Sequence, residues 1–169
     1  MGANIEVKAR ARALPELRLI ATEISNSPGE LIEQEDWFFE APHARLKLRI
    51  LSPERGELIS YRREDRAGAK ASEYVIALTQ QPALVREALA LALGVRVVVR
   101  KKRWLYIAGQ TRIHLDEVAE LGEFVELEYV LEAGEDAARG EREVARLLDR
   151  LGIRAEDQVA VAYADLLTT

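Results

Sequence analysis

Residues 45–63 read Arg45-Leu46-Lys47-Leu48-Arg49-Ile50-Leu51-Ser52-Pro53-Glu54-Arg55-Gly56-Glu57-Leu58-Ile59-Ser60-Tyr61-Arg62-Arg63. On both sides of Ser52-Pro53-Glu54-Arg55-Gly56 polar and apolar residues alternate, the period that sends successive side chains to opposite faces of a strand. The Pro and Gly between them are turn chemistry, so two antiparallel neighbours are predicted. Arg45, Lys47 and Arg49 share one face, against Leu46, Leu48 and Ile50 on the other. Glu57, Tyr61 and Arg63 form a row on the second strand.

The same split extends in both directions. Toward the N-terminus a strand over 4–12 sets Asn4, Glu6, Lys8, Arg10 and Arg12 against Ile5, Val7, Ala9 and Ala11. Leu14-Pro15 then opens a helix to residue 24, and a strand follows over 31–40. Toward the C-terminus come a strand over 73–79 and a helix over 82–93, with Pro82 at its start and Gly94 at its end. Strands over 95–107, 111–117 and 123–131 follow, carrying Lys101 and Arg103, then Arg112, His114 and Asp116, then Glu126 and Glu128. Helices over 135–151 and 155–167 complete an α+β order in one domain, 1–169, with both helices expected outside the sheet.

Such alternation fits the solvated face of a half-buried antiparallel sheet. The sorting by sign fits a second arrangement. Glu126 and Glu128 stand roughly 7 Å apart along one strand and repel, and the Arg45-Lys47-Arg49 ladder does the same. A closed barrel with its charged rows inward lets the cations surround phosphates and the carboxylates hold a hard divalent ion, and eight strands give an interior for one small ligand.

Composition narrows the function classes. The chain has 169 residues, 49% hydrophobic and 31% charged, with a formal net charge of −5. An acidic chain lacks the broad basic footprint of nucleic-acid binding. Zero cysteines close the thiolate metal sites, and two histidines argue against a histidine centre, so a metal here would sit on carboxylates. No apolar run approaches the roughly 20 residues that span a bilayer, and Met1-Gly2 with Glu6 does not match a myristoylation signal. These readings predict a cytoplasmic protein with no membrane or nucleic-acid partner.

Eight blocks occur in order: Ile5-Glu6-Val7-Lys8, close to a Glu-x-Glu-x-Lys signature; Arg45 to Arg49; Glu57 to Arg63; Lys70-Ala71-Ser72-Glu73-Tyr74; Val99-Arg100-Lys101-Lys102-Arg103; Arg112-Ile113-His114-Leu115-Asp116; Leu121 to Glu128; and Ala162 to Leu167. In these the chain resembles the CYTH superfamily, the triphosphate tunnel metalloenzymes that include class IV adenylyl cyclases and thiamine triphosphatases. The resemblance implies a closed eight-stranded antiparallel tunnel that binds ATP, tripolyphosphate or thiamine triphosphate with Mg²⁺ or Mn²⁺, and a homodimer. It implies that Lys8, Arg45, Lys47, Arg49, Tyr61, Arg63, Lys101, Arg103 and Arg112 contact the triphosphate, with Lys8, Arg63 and Lys101 catalytic. It implies that Glu6, Asp116, Glu126 and Glu128 bind or orient the metals. Lys70 is a further phosphate candidate. Asn4 departs from the signature, replacing its first acid with a neutral amide.

Three functions are compatible with these residues: a cyclase that converts ATP to cyclic AMP and pyrophosphate, a triphosphatase, and a polyphosphate-binding module without turnover. His114 is a candidate acid or base or a hydrogen-bonding neighbour of Arg112 and Asp116. Trp104 and Tyr106 fall opposite Lys101 and Arg103 and are expected under a helix.

Overall fold

A computed structural model describes residues 2–168, so the ends of the expected 1–169 domain, Met1 and Thr169, lie outside the described residues. Eight strands are present among them: β1 Gly2–Arg10, β2 Glu30–Phe39, β3 Arg45–Ser52, β4 Arg55–Arg63, β5 Lys70–Thr79, β6 Val95–Ala108, β7 Thr111–Val118 and β8 Gly122–Val130. They close into an antiparallel barrel in the order β1-β5-β4-β3-β2-β6-β7-β8. The β3–β4 pairing sets Arg45 opposite Tyr61, Lys47 opposite Ile59 and Arg49 opposite Glu57, the hairpin read from the sequence. The helices are α1 Leu14–Ser25, α2 Pro82–Leu93, α3 Ala137–Arg150 and α4 Tyr163–Leu167. None is long and apolar enough to cross a membrane.

The main hydrophobic core lies between the outer wall of the barrel and the helices. Ile5, Val7 and Ala9 of β1, Val125, Leu127 and Tyr129 of β8, Ile113 and Leu115 of β7 and Tyr106 of β6 meet Leu14, Leu17 and Ala21 of α1 and Val144 and Leu147 of α3. The apolar rows face outward because two amphipathic helices are there to bury them; the charged rows are left to the interior. Trp104 packs at the margin of this core, under the Arg18 guanidinium of α1 at 4.5 Å. Asp136 starts α3 by accepting a hydrogen bond from the Ala138 amide.

Where α3 crosses the barrel it approaches through Gly140, which is buried. A Cβ there would come within 2.8 Å of both Ile5 Cγ1 and Tyr129 Cδ1. Gly140→Ala should therefore lower stability by about 1–3 kcal/mol through overpacking, although alanine is the better helix former. Urea unfolding will measure it, and a gain in stability would show that α3 can slide outward without loss.

Two expectations are corrected. β1 ends at Arg10; the Ala11 amide still bonds the Glu123 carbonyl in the β1–β8 register, and Arg12 leaves it for the surface to pair with Asp157 at 2.7 Å. Residues 155–167 do not form one helix. A single 3-10 turn, Ala155–Asp157, is followed by an extended piece in which Gln158 bridges Ala9 and the Val159 amide donates to the Lys8 carbonyl. Helix resumes only at α4, which turns inward and does not lie outside the sheet. The free edge donors and acceptors of β1 and the buried seat for Tyr163 override local helix preference.

Candidate active site

Alternation places Asn4, Glu6 and Lys8 of β1, Lys47 and Arg49 of β3, Glu57, Tyr61 and Arg63 of β4, Lys101 and Arg103 of β6, Arg112 and His114 of β7 and Glu126 and Glu128 of β8 on the interior wall. All of them line one cavity of about 840 Å³. Phe38, Val99 and Tyr163 add apolar lining and pack with Val118 and Phe124 in a small cluster. Tyr163 of α4 packs edge-on against Phe124 with ring centroids 4.9 Å apart, and it lies under Lys8 Nζ at 4.2 Å. The lining also includes Ile32, Leu51, Ile76, Leu105 and Ile107.

The interior charges are paired. Lys8 contacts Glu126 at 3.0 Å, Arg103 contacts Glu126 at 2.8 Å, Arg112 contacts Glu128 at 3.4 Å, and Arg63 donates to Glu6. His114 stands 3.8 Å from both Glu126 and Glu128. Burial would raise the Glu126 carboxyl, but Lys8, His114 and Arg103 hold it well below the carboxylate range. Lys101 is the opposite case. Desolvation first, then repulsion from Arg103, pull its ammonium down to about 7, with Asp116 only 3.7 Å away.

Asp116 and Arg45 stand apart from the expected set. Asp116 is fully buried and accepts two hydrogen bonds from Arg103 at 2.6 Å each and one from the Tyr163 hydroxyl at 2.9 Å. It is not among the cavity-lining residues, and through these bonds it holds Arg103 and Tyr163 in place. Arg45 pairs with Asp65 at 2.6 Å and Asp165 at 3.0 Å and does not line the cavity. Lys70 is also spent elsewhere: its Nζ donates to the carbonyls of Arg66 and Ala160, tying the terminal segment to the barrel.

Asp36 escaped the sequence reading. It is 2% exposed and takes Lys47 at 2.7 Å and Arg49 at 2.9 and 3.0 Å. Desolvation is outweighed by Arg49, Lys47 and Lys101, so the carboxyl is held well below its usual range. In Glu30-Leu31-Ile32-Glu33-Gln34-Glu35-Asp36 the acids fall on both faces, so no row stands out. The register of Asp36 with Arg49 is the signal that singles it out.

The model for the CYTH domain matches residues 2–163. The chain belongs to the CYTH domain family. Solved structures of the same fold include a Pyrococcus horikoshii protein, 24% identical over 96% of this CYTH chain and 98% of that one, with a TM-score of 0.80. A Vibrio parahaemolyticus protein described as an adenylate cyclase candidate is 17% identical over 98% of each chain, with a TM-score of 0.76. A Hippeastrum adenylyl cyclase candidate described as having dominant triphosphatase activity is 14% identical over 99% of this chain and 94% of that one, with a TM-score of 0.63. No curated protein sequence matches the chain.

CYTH triphosphate tunnel enzymes use divalent metals, and the donor set of this CYTH chain fits a hard cation. Glu6 lies directly opposite Glu128 in the β1–β8 register, a like-charge pair that invites a counter-ion, and Glu126 follows on the same face. Asn4 is 2% exposed, and its Oδ1 is buried without a hydrogen-bond partner. Among the described residues no three acids or histidines converge as a preformed metal site.

Proposed function

We propose that this chain is a metal-dependent enzyme that acts on a triphosphate held inside the barrel, in the manner of a class IV adenylyl cyclase. The observation that carries the reading is one cavity inside the barrel in which cations from β1, β3, β4, β6 and β7 surround a wall of carboxylates on β1 and β8. Lys8, Lys47, Arg49, Arg63, Lys101, Arg103 and Arg112 hold the phosphate oxygens. Tyr61, which lines the same cavity beside Arg63, offers its hydroxyl. Glu6, Glu126 and Glu128 would hold Mg²⁺ or Mn²⁺, which when bound supplies charge neutralisation and activates the attacking oxygen. The aliphatic lining at Ile32, Leu51, Ile76, Leu105 and Ile107 favours a triphosphate with an organic body.

In the cyclase reaction the ribose 3′-hydroxyl attacks the α-phosphorus of ATP, and pyrophosphate leaves with the charge that Lys8, Arg63 and Lys101 stabilise. The alternative, motivated by the Hippeastrum neighbour's described activity, is a triphosphatase in which water attacks the terminal phosphorus in the same clamp. A third reading, a polyphosphate-binding module without turnover, is motivated by Asn4. Purified protein supplied with ATP, tripolyphosphate or thiamine triphosphate and Mg²⁺ or Mn²⁺ decides among them by product. Cyclic AMP with pyrophosphate establishes the cyclase, and orthophosphate establishes the triphosphatase. Binding without turnover of any of the three leaves the binding module, and absence of binding removes the proposal.

Lys101 gives the site a pH signature. Its folded value of about 7 lies below the ordinary 10.5, so between these values the unfolded chain binds more protons and this group's contribution to ligand-free stability rises with pH. A triphosphate needs the charged form. Above about pH 7 its binding should therefore take up a proton and weaken as pH rises. Metal-free titration calorimetry with tripolyphosphate in buffers of different ionisation enthalpy will read the uptake. Lys101→Met should abolish that part of it, and equal uptake in the variant would remove Lys101 from the clamp.

A further inference from the structure

The cations that would hold the phosphates are the same groups that now occupy the carboxylates. Glu6 is taken by Arg63, Glu126 by Lys8 and Arg103, and Glu128 by Arg112. A divalent ion entering alone would have to settle beside these positive charges in a poorly screened interior, where like-charge contacts are expensive. A triphosphate entering alone would meet cations that are half neutralised. When both enter, each relieves the other: phosphate draws the cations away, and the freed carboxylates close on the metal.

Asn4 sharpens this dependence. Where the family signature carries an acid, its amide nitrogen donates to Glu128, and its Oδ1 stays buried without a partner while Asn4 itself lines the cavity. That oxygen is an unpartnered neutral ligand atom on a lining residue, able to complete a metal's shell but contributing no net charge to attract the ion. The wall thus has one carboxylate fewer with which to outcompete Arg63 and Arg112.

Resting on the triphosphate reading above, we propose that metal and triphosphate bind to this chain as a mutually dependent pair, with Asn4 setting the wall's affinity for the lone metal low. The coupling is reciprocal, so each ligand raises the affinity for the other by the same factor, on the order of 5–150-fold.

Equilibrium dialysis of the full chain tests it, with Mn²⁺ as the metal and bismethylene triphosphate, whose methylene bridges resist cleavage, as the probe. Mn²⁺ retention by protein alone should be slight and should rise at least ~10-fold with the probe present. Asn4→Glu, with Asn4→Asp as the smaller change, should retain Mn²⁺ without the probe. Equal retention of Mn²⁺ by the natural chain with and without probe overturns the coupling while leaving the triphosphate site intact. Failure to retain the probe even with Mn²⁺ present overturns the triphosphate reading and this inference with it. Low lone-metal retention by folded Asn4→Glu and Asn4→Asp removes Asn4 from the account.

Discussion

Asp116→Asn should lower stability by about 3–5 kcal/mol in metal-free buffer, the range for removing one member of a buried ion pair. Asp116 is fully buried, and its charge is shared by Arg103 through two 2.6 Å hydrogen bonds and by Lys101 at 3.7 Å. The substitution keeps the shape but removes that charge, and the amide nitrogen turns a donor toward donors. Arg103 keeps only Glu126, and the Tyr163 hydroxyl loses its acceptor. For a chain of this length the loss corresponds to a fall in melting temperature of roughly 10 °C. Calorimetry in chelator is the measurement. If stability is unchanged there and only metal binding is lost, Asp116 belongs to the metal set and the anchoring role assigned to it is wrong.

Glu126→Gln should reduce turnover of whichever triphosphate the natural chain consumes by about 10²–10³-fold, the scale of removing one essential electrostatic contact. Binding of tripolyphosphate in chelator should be no weaker than in the natural chain. The carboxylate now neutralises Lys8 at 3.0 Å and Arg103 at 2.8 Å, so its loss leaves Lys8 without a carboxylate partner and Arg103 with Asp116 alone. Steady-state rates with Mg²⁺ or Mn²⁺, set beside calorimetric binding without metal, separate the two effects. Loss of binding together with turnover would mean that Glu126 holds the clamp in shape.

Sequence patterning reached far into this protein because a strand has a fixed period. Once Arg45, Lys47 and Arg49 stood on one face and Leu46, Leu48 and Ile50 on the other, no change of register could mix the rows. The same logic placed Glu6 and Lys8, Lys101 and Arg103, Arg112, and Glu126 and Glu128 among the interior residues, and all of them line the cavity. It failed at β2, where Asp36 lies among acids of both parities, and at residues 155–167, whose path is decided by hydrogen bonds to β1 and by the seat for Tyr163.

Alternation along each strand thus determined which side chains share a face, and the family blocks determined that the faces form a tunnel. Which of those residues are free to meet a ligand was decided only by the closed barrel. Closure brings together groups more than a hundred residues apart, such as Lys8 with Glu126 at 3.0 Å and with the Tyr163 ring at 4.2 Å. A buried charge goes to the nearest opposite charge, and nearness across a barrel follows from strand order and register, which no single strand encodes. For that reason Asp116 and Arg45, indistinguishable in sequence from their neighbours in the row, lie off the cavity lining and pair elsewhere, while Asp36 sits in the lining between Lys47 and Arg49.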